Sequence, residues 1–323
     1  MLAQDDLDVA VLTVRPFAIL FRIPADNSAL AQFTPDSKEI VFLSSITRAT
    51  SGQLAYTKSI ARVERWRITD QAFVDSTPIA KLVCGTQELS PDGRVLACND
   101  FEGTLRLVDV AKGQTIFEKR KFAKPILLYH NNDVLALPYG AAGDLGNAHM
   151  TFSPDGRFFV ALPIHSEGEI LAWDLREMTA VKVPGFSRLT ESWRFDFTFV
   201  APDRLLESSG RGYKHHLVSA KLVTFPSGKS LLKPKIPIGG LFRAADPNFV
   251  LVGPFGGYTR NTPDARAAAV ELATGEAIVS DTPVLDVFGR YYVAEPRNGE
   301  VGLYERGKGL QATITIAEKA PAH

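Results

Sequence analysis

The segment Phe152-Ser153-Pro154-Asp155-Gly156 is followed by the run RFFVALP, and this two-part unit recurs along the chain. Phe33-Thr34-Pro35-Asp36-Ser37 precedes KEIVFLSS, Leu89-Ser90-Pro91-Asp92-Gly93 precedes RVLACND, and Val200-Ala201-Pro202-Asp203 precedes RLLESS. Two weaker copies are Ala245-Asp246-Pro247-Asn248 before FVLVG and Asp286-Val287-Phe288-Gly289 before RYYVAE. Proline presets φ for a tight turn, Asp bonds its own backbone, and Gly accepts positive φ. The apolar, β-branched and aromatic run after each turn is a strand. A chain so punctuated is constrained to fold as a succession of hairpins.

A second signal follows at an offset. Val108-Asp109-Val110-Ala111-Lys112-Gly113, Val223-Thr224-Phe225-Pro226-Ser227-Gly228 and Glu271-Leu272-Ala273-Thr274-Gly275 each end one strand and open another. Ile170 to Leu175 and Val63 to Ile68 fill the same slot, with Trp173 and Trp66 in matching positions. The anchors Pro35, Pro91, Pro154, Pro202, Pro247 and Val287 are spaced by 56, 63, 48, 45 and 40 residues. The later steps match one four-stranded propeller blade. The combination resembles the bacterial WD-repeat-like, YVTN-type β-propellers, over about residues 30 to 316. It departs from eukaryotic WD repeats in having one good Trp-Asp pair, Trp173-Asp174, and no Gly-His in register. The buried Asp-His-Ser/Thr-Trp network of those repeats is therefore expected to be largely missing.

The expected fold is all-β: one domain over 1–323, a single β-propeller of four-stranded antiparallel blades. Seven blades is the expected count, with six or eight as alternatives. The long step contains two further strand-like runs, Pro125 to Tyr129 and Asp133 to Leu137, either a degenerate blade or an insertion. Val9 to Val14 and Ala18 to Ile23 have no anchor and are expected to complete the terminal blade beside Gln311 to Ile316. Residues 1–7 and 317–323 are expected to be flexible ends.

Lys plus Arg and Asp plus Glu both number 36, so the whole chain carries no basic footprint for nucleic acid. No apolar run is long enough for a membrane span. The N-terminus lacks the basic and apolar regions of a signal peptide, although Leu2-Ala3-Gln4 fits the scar of a removed one. The compartment is left open, cytoplasmic or extracytoplasmic. Cys84 and Cys98 flank the Ser90-Pro91-Asp92-Gly93 turn. Reduced, buried thiols are the ordinary reading; a disulfide is the other, and would favour an oxidising compartment.

Function in such a fold sits on loops and at the central channel. Tyr139 to His149 brings together three glycines, Asp144 and His149, with neither the Gly-Lys-Ser/Thr nor the helix of a phosphate cradle. Ser208 to His216 offers Arg211, Tyr213 and His215, a basic and aromatic set suited to an anionic ligand or a stacked ring. Gly253 to Thr262 offers Tyr258 and Arg260, residue types enriched at interface hot spots. Ser44 to Arg62 reads as a hairpin extension. For each segment the plain alternative is a solvated loop. No metal site, cofactor or catalytic constellation is expected. The leading expectation is a monomeric, non-catalytic module for a protein or peptide partner. Resemblance to lactonase-like propellers implies the alternative of an enzyme, or a small-ligand or metal-binding propeller, working through Asp144, His149, Arg211 and His215 at one channel mouth.

Overall fold

A computed structural model describes the chain except residues 1, 5–7, 25–29, 46–47, 50–55, 58–60, 80–81, 83, 85, 101, 124–147, 164–169, 184–193, 211–216, 238–239, 254–267, 279–283, 295–299 and 316–323. Six four-stranded antiparallel blades are formed among the described residues. Their innermost strands are Leu30–Phe33, Thr86–Leu89, Ala148–Phe152, Arg194–Ala201, Gly240–Arg243 and Val284–Phe288, in blades 1 to 6. Within each blade the strands follow in chain order from the axis outward. Innermost strands of blades 2 to 5 neighbour one another in sequence, as blades around a common axis require. In blade 4, Lys235–Pro237 adds a further pairing to the third strand.

The second strand of a blade is apolar on both faces, which is why it reads as a continuous run rather than an alternation. In Glu39–Ser45, Ile40 and Phe42 face one neighbouring sheet while Val41 and Leu43 face the other, all four at most 1% exposed. Leu205 and Leu206 likewise join blade 4 to blade 3 and to blade 5. Each such strand demands a sheet on either side.

Against the expected seven, the described residues form six four-stranded blades. The N-terminal strands Leu2–Gln4, Asp8–Val14 and Phe17–Pro24 do not join the terminal blade; they hydrogen-bond to one another as a three-stranded sheet. That sheet packs Ala10 and Leu12 on Val293, Val301 and Leu303 of blade 6, and Val9, Val11 and Ile23 on Ile40 and Phe42 of blade 1. Leu2–Gln4 is thus a strand within the expected flexible end. The runs at Pro125 to Tyr129 and Asp133 to Leu137 lie outside the described residues. The segment Ser44 to Arg62 does contain a hairpin, Arg48–Ala49 paired with Tyr56–Thr57.

The Pro-Asp turns share a hydrogen-bond device centred on the residue before proline. Ser90 Oγ donates to Asp92 Oδ1 (2.7 Å) and accepts from the Val95 amide (2.9 Å), while the Gly93 amide donates to the Ser90 carbonyl (2.7 Å). Ser153 with Asp155, and Thr34 with Asp36, repeat it. Gly93 adopts φ +67° and touches blade 1: a Cβ there would lie 3.0 Å from Val41 Cγ1 and from Arg65 Nη2. Arg65 Nη2 donates to the Asp92 carbonyl at 2.7 Å, tying the two blades. Asp174 of the Trp-Asp pair is also structural. Burial would raise its carboxyl, but Arg157 and the amides of Arg176 and Glu177 outweigh that and hold it below the usual range. The indole nitrogens of Trp66 and Trp173 are buried without hydrogen-bond partners.

Cys84 and Cys98 are joined in a disulfide, not reduced. Cys84 precedes the innermost strand of blade 2 and Cys98 stands on its second strand, opposite Gln87.

Gly93→Ala should lower the urea midpoint by the equivalent of about 2–3 kcal/mol, combining left-handed strain with overpacking. Gly113→Ala, at φ +62° with nothing within 4 Å of the added Cβ, should lose only about 1 kcal/mol. Equal losses would show that the contact with blade 1 is immaterial. Separately, the unreduced, denatured protein should resist alkylation at both cysteines. Reduction of this bond, whose partners are 14 residues apart, should cost about 3 kcal/mol in urea unfolding.

Candidate functional site

Antiparallel order sets which end of the molecule each connection occupies. The Pro-Asp turns and the third-to-fourth-strand turns occupy one face. The connections between second and third strands, and those between blades, open on the other. Strands flanking 44–62, 124–147, 211–216 and 254–267 all open on that second face. Asp144, Arg211, Tyr213, His215, Tyr258 and Arg260 lie outside the described residues. His149 is described, and it stands in a strand rather than in a loop. It belongs to the innermost strand of blade 3, opposite Leu162, with its ring 6.2 Å from Phe197 of blade 4.

The innermost strands carry ionisable residues that the sequence reading passed over. Glu88 lies in blade 2, Arg243 in blade 5, and Asp286 in blade 6. Glu88 and Arg243 sit toward the turn end of their strands and Asp286 in the middle of its own. Blades 2 and 5 have blades 3 and 4 between them on one side, and blade 6, the N-terminal sheet and blade 1 on the other. Glu88 and Arg243 therefore stand on innermost strands of blades that lie across the ring from each other.

Glu88 is partly exposed, yet the protein packed around it withholds hydration from the charged form. Burial pushes its carboxyl up from 4.5 to about 7, opposed by the Arg243 charge. Burial likewise depresses Arg243, against the pull of Glu88 and Asp286. Asp286 is raised by burial, while the amides of Ala245 (2.8 Å) and Val287 (2.8 Å) on its Oδ1 oppose the rise. Asp286 thus has a structural partner in the turn of blade 5. Glu88 and Arg243 have no hydrogen bond or ion pair among the described residues, and they sense each other only through the field. Next to Glu88 in sequence, Thr86 Oγ1 and Gln87 Nε2 are buried with no hydrogen-bond partner among the described residues. Beside Arg243, Phe242 is 55% exposed despite its place on an innermost strand. Across the register from that strand, Gly253 leaves room for the ring: a Cβ there would come within 2.7 Å of it.

Such a set can hold a polar ligand by charge-assisted hydrogen bonds and present one apolar surface. Among the described residues no three His, Cys, Asp or Glu side chains gather as metal ligands, and no helix is long and apolar enough to cross a membrane. The available sequence signal was the polar interruption TQE before Leu89-Ser90-Pro91, with LFR before the corresponding turn of blade 5.

The solved structures place the chain in a class. The β-propeller domain of Myceliophteria thermophila Cps50 (Swd1) superposes with a TM-score of 0.50 at 14% identity, covering 92% of this chain and 89% of that one. A dihydro-heme d1 dehydrogenase, NirN, solved in complex with DHE, gives a TM-score of 0.48 at 16% identity, covering 96% of this chain and 71% of that one. The fold is a β-propeller. No protein-family model matches the chain, and no curated protein sequence is detectably similar to it.

Glu88→Gln should change how stability depends on pH. The wild-type carboxyl ionises near 4.5 when unfolded and near 7 when folded. Its contribution is complete below pH 4.5 and is lost as pH rises through 7. Relative to Glu88→Gln, the wild type should lose up to ~3 kcal/mol between pH 5 and pH 8 in urea unfolding. A difference unchanged by pH would mean that the carboxyl is solvated.

Proposed function

We propose that the chain is a non-catalytic binding propeller, holding a protein or peptide partner on the face where its long connections open. The observation that carries this reading is topological: strands flanking all four function-rich segments open on that one face. Arg211, Tyr213, Tyr258 and Arg260 are the proposed anchors, since Tyr and Arg give large contact area and charge-assisted hydrogen bonds; Asp144, His149 and His215 are proposed to act with them. The turns ally the chain with the bacterial WD-repeat-like, YVTN-type propellers, and the N-terminal sheet serves as a seventh, three-stranded blade. The disulfide supports an oxidising, extracytoplasmic setting.

A second reading, small-ligand binding at the axis, is favoured by the unpaired Glu88 and Arg243.

Immobilised wild type should capture a partner from extracts of its own cells, and Arg211→Glu combined with Arg260→Glu should reduce capture at least tenfold. Lys112→Glu, on an exposed turn of the opposite face, should capture as the wild type does. Equal capture by all three would reject the loop face as the interface.

A further inference from the structure

We propose that the N-terminal sheet forms the outer three strands of a seventh blade, and that the free edge of its Leu2–Gln4 strand takes up an extended apolar strand of a partner protein as the innermost member. The site lies within the ring, apart from the loop face, and does not depend on that face binding anything.

Arg15, in the turn joining Asp8–Val14 to Phe17–Pro24, stands over the Tyr291 ring, 5.1 Å from its centroid. Tyr291 opens the second strand of blade 6, so the Arg15 turn lies on the face of the Pro-Asp turns, which only first-to-second and third-to-fourth connections occupy. Phe17–Pro24 also runs beside Gly309–Thr315, the outermost strand of blade 6, which makes it a fourth strand. Its pairing with Asp8–Val14 shifts register at Val11/Leu12, as third-to-fourth pairs do in blades 1, 2, 4 and 6, whereas no second-to-third pair does. Thr13 Oγ1 donates to the Ala18 carbonyl at 3.3 Å, as Thr224 Oγ1 does to that of Lys229 at 3.4 Å in the third-to-fourth turn of blade 4. Leu2–Gln4 is therefore a second strand, and among the described residues nothing pairs with its inner edge.

Unpaired amides and carbonyls along a strand edge are a template for a further strand. The flanking blades show a matching shortage of cover. Phe33 precedes its turn as Leu89 and Phe152 precede theirs; those two are 2% and 4% exposed, whereas Phe33, facing the N-terminal sheet, is half-buried. Leu285 of blade 6 faces the same sheet and is half-buried, while Val284 and Val287, toward blade 5, are 4% and 0% exposed. A strand laid along Leu2–Gln4 sends alternate side chains to Leu285 and to Phe33, so it must be apolar on both faces. Residues 316–323 fit this poorly. The shortest crossing from an outermost strand to the innermost strand of the next of the six blades, 279–283, spends five residues. Pro321-Ala322-His323 would then remain, with no large apolar side chain and with a proline that has no N–H to donate. A partner strand has neither restriction.

The probe is a fluorescein-labelled peptide, Lys-Val-Leu-Val-Leu-Lys, followed by fluorescence polarisation with the full chain. Successive amides of a strand point to opposite edges, and only one edge of the peptide would meet Leu2–Gln4. Methylating the amide nitrogens of all four apolar residues should therefore weaken binding at least tenfold, although every side chain is kept. Of the two peptides methylated only at the valines or only at the leucines, at least one should bind as the parent does. Phe33→Asp should weaken the parent peptide at least tenfold. Phe73→Asp, on the outermost strand of blade 1 where Phe73 is 50% exposed, should leave it unchanged. Should Phe33→Asp not fold, the methylated series on the wild type decides alone. No binding by the wild type, equal binding of the fully methylated peptide, or equal loss with all three methylated peptides overturns the proposal. Binding that appears only once residues 316–323 are removed overturns it too, since the chain then fills the edge itself. The protein carrying both Arg211→Glu and Arg260→Glu should bind the peptide as the wild type does, so either site can fail without the other.

Discussion

A strand that is apolar on both faces cannot end a stack, and this constraint organises the whole molecule. Val9 to Leu12, Ile40 to Leu43 and Leu205 to Leu206 each send alternate side chains into two different apolar layers. Fully burying one Val, Leu, Ile or Phe contributes roughly 1.5–3 kcal/mol, so leaving either face open would forfeit several such contributions at once. Adding sheets in a row only moves the open face along. A ring removes it. The N-terminal sheet shows the constraint acting: with three strands it still lies between blade 6 and blade 1, because Val9, Ala10, Val11 and Leu12 require cover on both sides.

Closure by packed faces leaves the backbone edges to the axis and the rim, and the turns then fix how the inner edges sit. The Pro-Asp turns do two jobs. They close their own hairpins through Ser, Thr or Asp, and turn contacts also tie blade 1 to blade 2 and blade 5 to blade 6. Arg65 reaches the Asp92 carbonyl; the Ala245 amide reaches Asp286; the Gly289 amide reaches Asp246 Oδ2 at 3.0 Å. Glu88 and Arg243 lie two and three residues upstream of Ser90 and Asp246, next to the turns that make these contacts.

This explains which parts of the structure are legible in sequence. A turn is a local object, and Ser90-Pro91-Asp92-Gly93 announces itself wherever it occurs; the same holds for the glycine turns at Gly113, Gly228 and Gly275, all with positive φ. Strand periodicity is local too, and tells which face a residue takes. It does not tell the distance from the axis. TQEL reads as an unremarkable edge strand until the blade is placed, and then Glu88 lies inside. The N-terminal strands were misassigned for the same reason: pairing among Leu2–Gln4, Asp8–Val14 and Phe17–Pro24 and joining the terminal blade satisfy one apolar pattern equally well. The disulfide was underestimated because Cys84 falls before the register in which Cys98 opposes Gln87.

The charges at the axis differ in kind from the other buried charges. Arg157 immediately precedes the second strand of blade 3, whose Phe158 pairs with Asp174, and Lys221 faces Glu207 in direct register. Those partners could approach until they met, since strands about 5 Å apart allow it. Glu88 and Arg243 belong to blades separated by two others, and close-packed layers resist compression. The ring therefore prevents the approach that their attraction favours. Blade order thus decides which charges can neutralise each other: residues in register within one sheet meet, and residues on the innermost strands of separate blades do so only across the axis.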